Sequence, residues 1–104
     1  MLIGEVVGTV VATQKDEKLT GLKFQIVREM DDQNRPTGRS VVAVDAVGAG
    51  RGDHVLFATG SSARQTVLTD GKPADAVIMA VIDSWDVDDE LIYSRQQPVE
   101  RTPK

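Results

Sequence analysis

The sequence predicts an all-β fold: a small five-stranded barrel with one short helical turn. Three observations predict it. Val, Ile and Thr gather in short segments, and these residue types suit a pleated, half-buried surface. Clusters of Gly, Pro, Asn and Asp separate those segments at short intervals, the pattern of a small sandwich or closed barrel. The chain has 104 residues, the size of one domain with one modest core.

The elements follow in order. Leu2 to Thr13 reads as the first strand, with Gly4 and Gly8 in one period-2 register with Leu2, Val6 and Val10. Glycine inside a strand marks a bend, a bulge or a close backbone approach, and a long strand bent at its glycines is what closing a small barrel requires. Gln14 to Gly21 is a polar connection. In the second strand Leu22, Phe24 and Ile26 share one face, and Lys23 and Gln25 the other. Asp31 to Gly38 is a turn cluster. Ser40 to Asp45, carrying Val41, Val42 and Val44, is the third strand, and a glycine-rich loop runs from Val47 to Asp53. His54 to Thr59 is the fourth strand, around Val55 and Phe57.

Beyond it, Gly60 to Gln65 holds serines suited to cap a short helical turn that Ala63, Arg64 and Gln65 propagate. Gly71-Lys72-Pro73 is a turn. Ala76 to Ile82 is a continuous apolar run, expected as a strand buried on both sides, with one side against a partner subunit. Asp83 to Glu90 reads as a solvated acidic segment, and Leu91 to Tyr93 as a last short strand. The domain is expected to span residues 1–93. Residues 94–104, with Pro98 and Pro103, read as an exposed tail. A five-stranded barrel of the oligonucleotide/oligosaccharide-binding type accommodates this order.

Composition narrows the function classes. The absence of cysteine excludes a disulfide framework and a thiolate zinc site, in keeping with a reducing cytosol. No stretch approaches the ~18 apolar residues of a membrane-spanning helix. The start, Met1 to Glu5, has no basic region before its apolar residues, which reads against a secretory signal. Twelve basic against sixteen acidic residues give a net charge of −4, which is repulsive towards phosphate. The aromatic residues are only Phe24, Phe57, Trp85 and Tyr93, few for a surface that stacks single-stranded bases. Neither a nucleic-acid nor a membrane partner is expected, and no cofactor.

Several motifs invite chemistry and fail its spacing. A dinucleotide fingerprint needs glycines at the first, third and sixth positions before a helix; counted from Gly48, the sixth position is Asp53, and a strand follows. His54 is the sole histidine, and a triad with Asp45 or Asp53 and Ser61 or Ser62 lacks the G-x-S-x-G elbow, since Arg64 stands two residues after Ser62. Asp83, Asp86, Asp88, Asp89 and Glu90 lack the central glycine and terminal glutamate of a calcium loop. Trp85, among them, reads as a packing or interface anchor. The residues alone thus describe a small non-catalytic β domain. The apolar run from Ala76 to Ile82 hints at oligomerisation, and a nucleic-acid or small-ligand binding barrel is the alternative.

Three segments add a family resemblance. They are GEVVGTVVATQKDEKLTGLKFQIV from Gly4, VVAVDAVGAGRGDHVLFATGSSARQT from Val41, and KPADAVIMAVIDSWDV from Lys72. In that order they resemble the EutN/CcmL family of bacterial microcompartment vertex proteins, the middle block most specifically. The resemblance implies a five-stranded barrel that assembles as a homopentamer and has no enzymatic activity. It also implies a structural role at the five-fold vertices of a carboxysome-like polyhedral shell in the bacterial cytoplasm, beside hexameric and pseudohexameric shell proteins. A cyclic ring joins subunits head to tail, so each subunit needs two different complementary patches. The candidates are Ser61, Ser62, Ala63 and Arg64 in the helical turn, and Ile78 and Met79 on the apolar strand. Arg64 is suited to forked hydrogen bonds across such an interface. Gly48, Ala49, Gly50 and Arg51 are the candidates for lining a central pore, where small residues let five loops crowd together.

Overall fold

Five strands close on themselves, and an added hairpin stands beside them. The structure, a computed structural model, describes residues 1–13, 15–60, 63 and 75–96. The strands are β1 (Leu2–Val10), β2 (Phe24–Met30), β3 (Pro36–Asp45), β4 (His54–Thr59), β5 (Ala76–Val81), β6 (Ser84–Val87) and β7 (Glu90–Ser94). The first five form a closed barrel in the order β1-β2-β3-β5-β4, and β6 and β7 form a separate two-stranded sheet. Only β3 and β5 run parallel, meeting at Val44–Val77 and Asp45–Ile78; the other neighbours are antiparallel.

Val6, Val27, Ala43, Val55, Phe57 and Ile78 fill the barrel, with Ala49 and Ala76 completing the cluster. Gly4 is what lets β1 cross this core. A Cβ there would come within 2.8 Å of Phe57 Cε1 and 3.0 Å of the Arg28 carbonyl oxygen. The single register expected along β1 is broken by an irregularity between Val6 and Gly8. An extra residue in one strand of a pair reverses the alternation beyond it. Val6 therefore faces the core, whereas Gly8 and Val10 pair with Ile26 and Phe24 on the outside and Thr9 pairs with Gln25 on the inside.

The face assignment in β2 inverts the apolar pattern. Gln25 and Val27 point inward and are buried, while Phe24 turns outward. The outward side chains are not left to water. Val44, Ala58, Ala63 and Val77 form a second buried cluster, against which Leu22 and Phe24 pack. Two-sided burial of the apolar run holds for its first half: Ala76 and Ile78 lie in the inner cluster and Val77 in the outer one. Met79 is 37% exposed.

Several boundaries differ from expectation. β1 ends at Val10, not Thr13, and the connection after it contains a 3-10 turn, Glu17–Leu19, where the Asp16 side chain accepts from the Lys18 N–H at 2.9 Å. β3 begins at Pro36 rather than Ser40; proline is tolerated at the first position of a strand, so the turn shrinks to residues 31–35. The acidic segment is half of a hairpin: Asp88 and Asp89, both at positive φ, form its two-residue turn. At the expected helical turn, Gly60 adopts φ +65° and its N–H donates to the Asp75 carbonyl at 2.9 Å. Ala63 is fully buried; the rest of that turn, and the turn at Gly71-Lys72-Pro73, lie outside the described residues.

Candidate functional site

The loop between β3 and β4 is held by two carboxylates. Asp45 Oδ1 accepts the backbone N–H groups of Val47 at 3.0 Å, Gly48 at 2.9 Å and Ala49 at 3.2 Å. Asp53 Oδ2 accepts the N–H of Gly50 at 2.8 Å. β1 clasps the end of the loop, with Gly52 N–H donating to the Val6 carbonyl at 2.8 Å and Val6 N–H to the Asp53 carbonyl at 2.9 Å. Positive φ at Gly48 and Gly52 is what the path requires.

Behind the loop lies a polar relay, buried at Gln25 and Asp45 and exposed at Thr9. Thr9 Oγ1 bonds Gln25 Oε1 at 2.9 Å, and Gln25 Nε2 donates to the Ala49 carbonyl at 3.0 Å and to Asp45 Oδ2 at 3.3 Å. Burial alone would raise the Asp45 pKa. The N–H groups of Val47 and Ala49, the Gln25 amide and the Gly48 N–H outweigh it and hold the carboxyl below its ordinary value. The relay explains why a glutamine points into the barrel. Its alternation with Phe24 and Ile26 is legible in the sequence, but the direction of the face is not, because the outer cluster also absorbs apolar side chains.

Of the pore candidates, Gly48, Gly50 and Arg51 are exposed on this loop. Ala49 is buried to 5% exposure within the barrel core, so its side chain anchors the loop from behind. Among the interface candidates, Ile78 is buried, its side chain packed in the subunit's own core. Ala63 is buried in the outer cluster. Met79 is on the surface, at the irregularity that shifts the β4–β5 register. Ser61, Ser62 and Arg64 lie outside the described residues.

Register reveals two outward apolar strips absent from that reading. Gly8, Ile26 and Val42 lie side by side across β1, β2 and β3, and Val42 is 51% exposed. Ile3, Leu56 and Ala80 lie side by side across β1, β4 and β5, all half-buried. A cavity of about 640 Å³ opens at the barrel end, with Leu2, Val41, Phe57 and Ala76 among its apolar walls and Glu29, Arg39 and Asp75 among its charged ones.

At the other side the added hairpin rests on the barrel through aromatic rings. Tyr93 stacks on His54 at 4.0 Å between centroids, and Trp85 stacks on Tyr93 at 5.0 Å. Trp85 Nε1 donates to the Asp32 carbonyl at 3.0 Å. His54 Nε2 lies 2.9 Å from Asn34 Oδ1, so among the described residues the histidine is engaged by Asn34 and by the stacked rings rather than by Asp45.

The family model described as "Ethanolamine utilisation protein EutN/carboxysome" matches residues 1–83. The carboxysome shell vertex protein CcmL of Gloeobacter violaceus is 42% identical over 96 residues, covering 92% of this chain and 96% of that protein. Its solved structure superposes with a TM-score of 0.89, covering 93% of this chain and all of that one (100%). The microcompartment shell vertex protein GrpN of Rhodospirillum rubrum is 42% identical over 84 residues, 81% of this chain and 94% of that protein. Its structure, described as a pentameric microcompartment shell protein, superposes with a TM-score of 0.77 at 39% identity, covering 84% of this chain and 99% of that one. EutN of Escherichia coli is 33% identical over 95 residues, 91% of this chain and 100% of that protein, and its crystal structure superposes with a TM-score of 0.81, covering 91% of this chain and 99% of that one.

Proposed function

Because this chain belongs to the EutN/CcmL family, we propose that it forms a closed homopentamer that occupies the five-fold vertices of a bacterial microcompartment shell in the cytoplasm. The role is structural and not catalytic. A sheet of hexagons stays flat, and pentagons at its corners give it curvature and closure. The partners are therefore the hexameric and pseudohexameric proteins that tile the facets. Similarity to a pentameric shell protein across the barrel carries this reading.

The geometry fits a head-to-tail ring, which needs two unlike patches on each subunit. The strips Gly8–Ile26–Val42 and Ile3–Leu56–Ala80 lie on different strand triplets of one barrel and are assigned to the two sides of that interface, with Met79 beside the second. Arg64 is assigned a forked contact across it. The β3–β4 loop presents Gly48, Gly50 and Arg51 to the axis. Its stapling by Asp45 and Asp53 keeps five copies from splaying where they converge. The barrel with its hairpin is the vertex unit, and the hairpin extends it to Arg95, whose N–H donates to the Asp83 carbonyl at 2.8 Å.

Light scattering at several concentrations tests the ring: the expected mass is five times 11.2 kDa. Co-production with cognate hexamers tests closure. Electron microscopy should show closed particles with the protein and open or elongated shells without it. Equal closure without the protein, in a background free of paralogues, would overturn the reading.

A further inference from the structure

The β6–β7 hairpin lies outside the barrel sheet, and its aromatic contacts with the barrel meet at one side chain. His54 opens β4 and is buried to 8% exposure. Tyr93 of β7 stacks on that ring at 4.0 Å and 30°, and Trp85 of β6 lies 5.9 Å away and stacks on Tyr93 in turn. The β2–β3 turn closes the assembly. Asn34, held at φ 59° while Asp31 Oδ1 accepts the N–H groups of Gln33 and Arg35, meets His54 Nε2 at 2.9 Å, and the Asp32 carbonyl receives Trp85 Nε1–H. With a carbonyl oxygen as partner, the neutral ring carries its proton on Nε2. Nδ1 is then a bare lone pair, buried and without a hydrogen-bond partner among the described residues.

We propose that His54 is a proton-sensitive latch for this hairpin: the neutral ring holds β6–β7 against the barrel, and protonation at Nδ1 releases it. Protonation at Nδ1 would leave a cationic ring buried beneath the hairpin, its desolvation only partly offset by the Gly52 carbonyl, a costly arrangement that exposure to water relieves.

The surrounding charges are mixed. Glu5 pairs with His54 across β1–β4, and Glu5, the Gly52 carbonyl and Asp53 all favour the cation. Asp53 is itself engaged by Arg95 at 3.4 Å, and Arg28 pairs with Glu5 across β1–β2. Tyr93, whose own pKa is raised chiefly by burial, stays neutral and stacked. Burial of the imidazole outweighs the favourable charges, so its pKa lies below the ordinary histidine value. The sign follows. A histidine with a depressed folded-state pKa contributes docking stability that is complete above about pH 6.5 and is lost as pH falls through the lower value.

The chain holds one histidine and one tryptophan, so latch and hairpin each carry a unique reporter. In the full-length protein, Trp85 fluorescence and the His54 ring proton resonances are followed from about pH 8 to about pH 5, the range in which histidine titrates. The wild type should show a red shift of Trp85 emission that coincides with the His54 titration, at a midpoint below that of free histidine, while far-ultraviolet dichroism of the barrel holds. His54→Gln, which keeps a donor for Asn34, and His54→Phe, which keeps the stack, should both show flat emission. An unchanging wild-type signal, a His54 midpoint at or above the free value, or an equal shift in either folded variant would overturn the latch. If neither variant folds, coincidence of the two wild-type midpoints supports the proposal and their separation overturns it.

Discussion

At the scale of single residues, two positions show how little latitude the barrel leaves. Gly4 is required by space. Its absent side chain would press on Val27, Phe57 and the Arg28 carbonyl, whereas a Cβ at Gly8 would meet Ile26 Cδ1 at an ordinary 3.4 Å. Gly4→Ala should therefore cost at least ~1–3 kcal/mol through overpacking, and Gly8→Ala far less. Urea denaturation of the two variants in parallel checks the contrast, and equal midpoints would contradict it. Asp45 is required by charge. Burial raises its pKa, but the Val47, Ala49, Gln25 and Gly48 donors bring it below the unfolded value. Its contribution is thus complete above about pH 4 and is lost as pH falls through the lower folded value. Asp45→Asn should cost ~1–3 kcal/mol near neutrality, since buried donors lose a charged acceptor. The variant should also lose less further stability than the wild type on moving from about pH 4 to about pH 2, which denaturation at stepped pH values measures. Neither role is legible from the sequence. Gly4 reads there only as a candidate close approach, and Asp45 only as a possible member of a triad.

At the scale of elements, the strands were legible wherever β-branched residues ran between turn signals. β4 spans His54–Thr59, as expected, and β5 begins at Ala76, as expected. Less legible were features set by tertiary context. The bulge in β1 is invisible to a period-2 count because Val7, Gly8 and Val10 fit either parity. The inward turn of Gln25 depends on an outer cluster that recruits Ala63 from a distant segment. The β6–β7 hairpin was hidden by its charge: five of the eight residues from Asp83 to Glu90 are acidic, which reads as a solvated run. Val87 pairs with Glu90, leaving Asp88 and Asp89 as a two-residue turn with φ of 51° and 64°. Two positive φ values mark a type I′ turn, for which Asn-Gly is preferred. Placing a non-glycine residue in the left-handed region costs roughly 1–2 kcal/mol, somewhat relieved for Asp and Asn. The double substitution Asp88→Asn, Asp89→Gly should accordingly stabilise the hairpin by roughly 1 kcal/mol. Slower amide exchange across β6 and β7, with no change in the barrel strands, is the expected result; faster exchange would refute the turn assignment.

At the scale of the whole molecule, the proposed pentamer puts two demands on the barrel, an interior that folds and an exterior that closes a ring. A lone exposed valine asks for no explanation, but Val42 sits in register with Ile26 and Gly8 across three strands, and a second strip lies across β1, β4 and β5. In the proposed head-to-tail ring each strip is used once per interface, so one substitution is repeated at all five contacts. Val42→Asp places an unpaired carboxylate at each, at a cost of about 3 kcal/mol or more per contact if it stays desolvated. The side chain is 51% exposed in the subunit, so the barrel itself should keep its dichroism and its cooperative unfolding. The tail makes the converse case. Ser94 pairs with Ser84, and Arg95 donates to the Asp83 carbonyl and meets Asp53, so the folded unit runs through Arg95 and the expected boundary at residue 93 cuts into the hairpin neck. Deleting residues 97–104 should leave both ring and closure intact. Native mass spectrometry of full-length protein, of Val42→Asp and of the chain ending at Gln96 should give a pentamer, a folded monomer and a pentamer. Electron microscopy of each co-produced with cognate hexamers should then give closed shells, open shells and closed shells. A pentameric Val42→Asp would remove the β1–β2–β3 strip from the interface without touching the vertex role. A truncated protein that forms the ring yet fails to close shells would instead place a hexamer contact in the final eight residues.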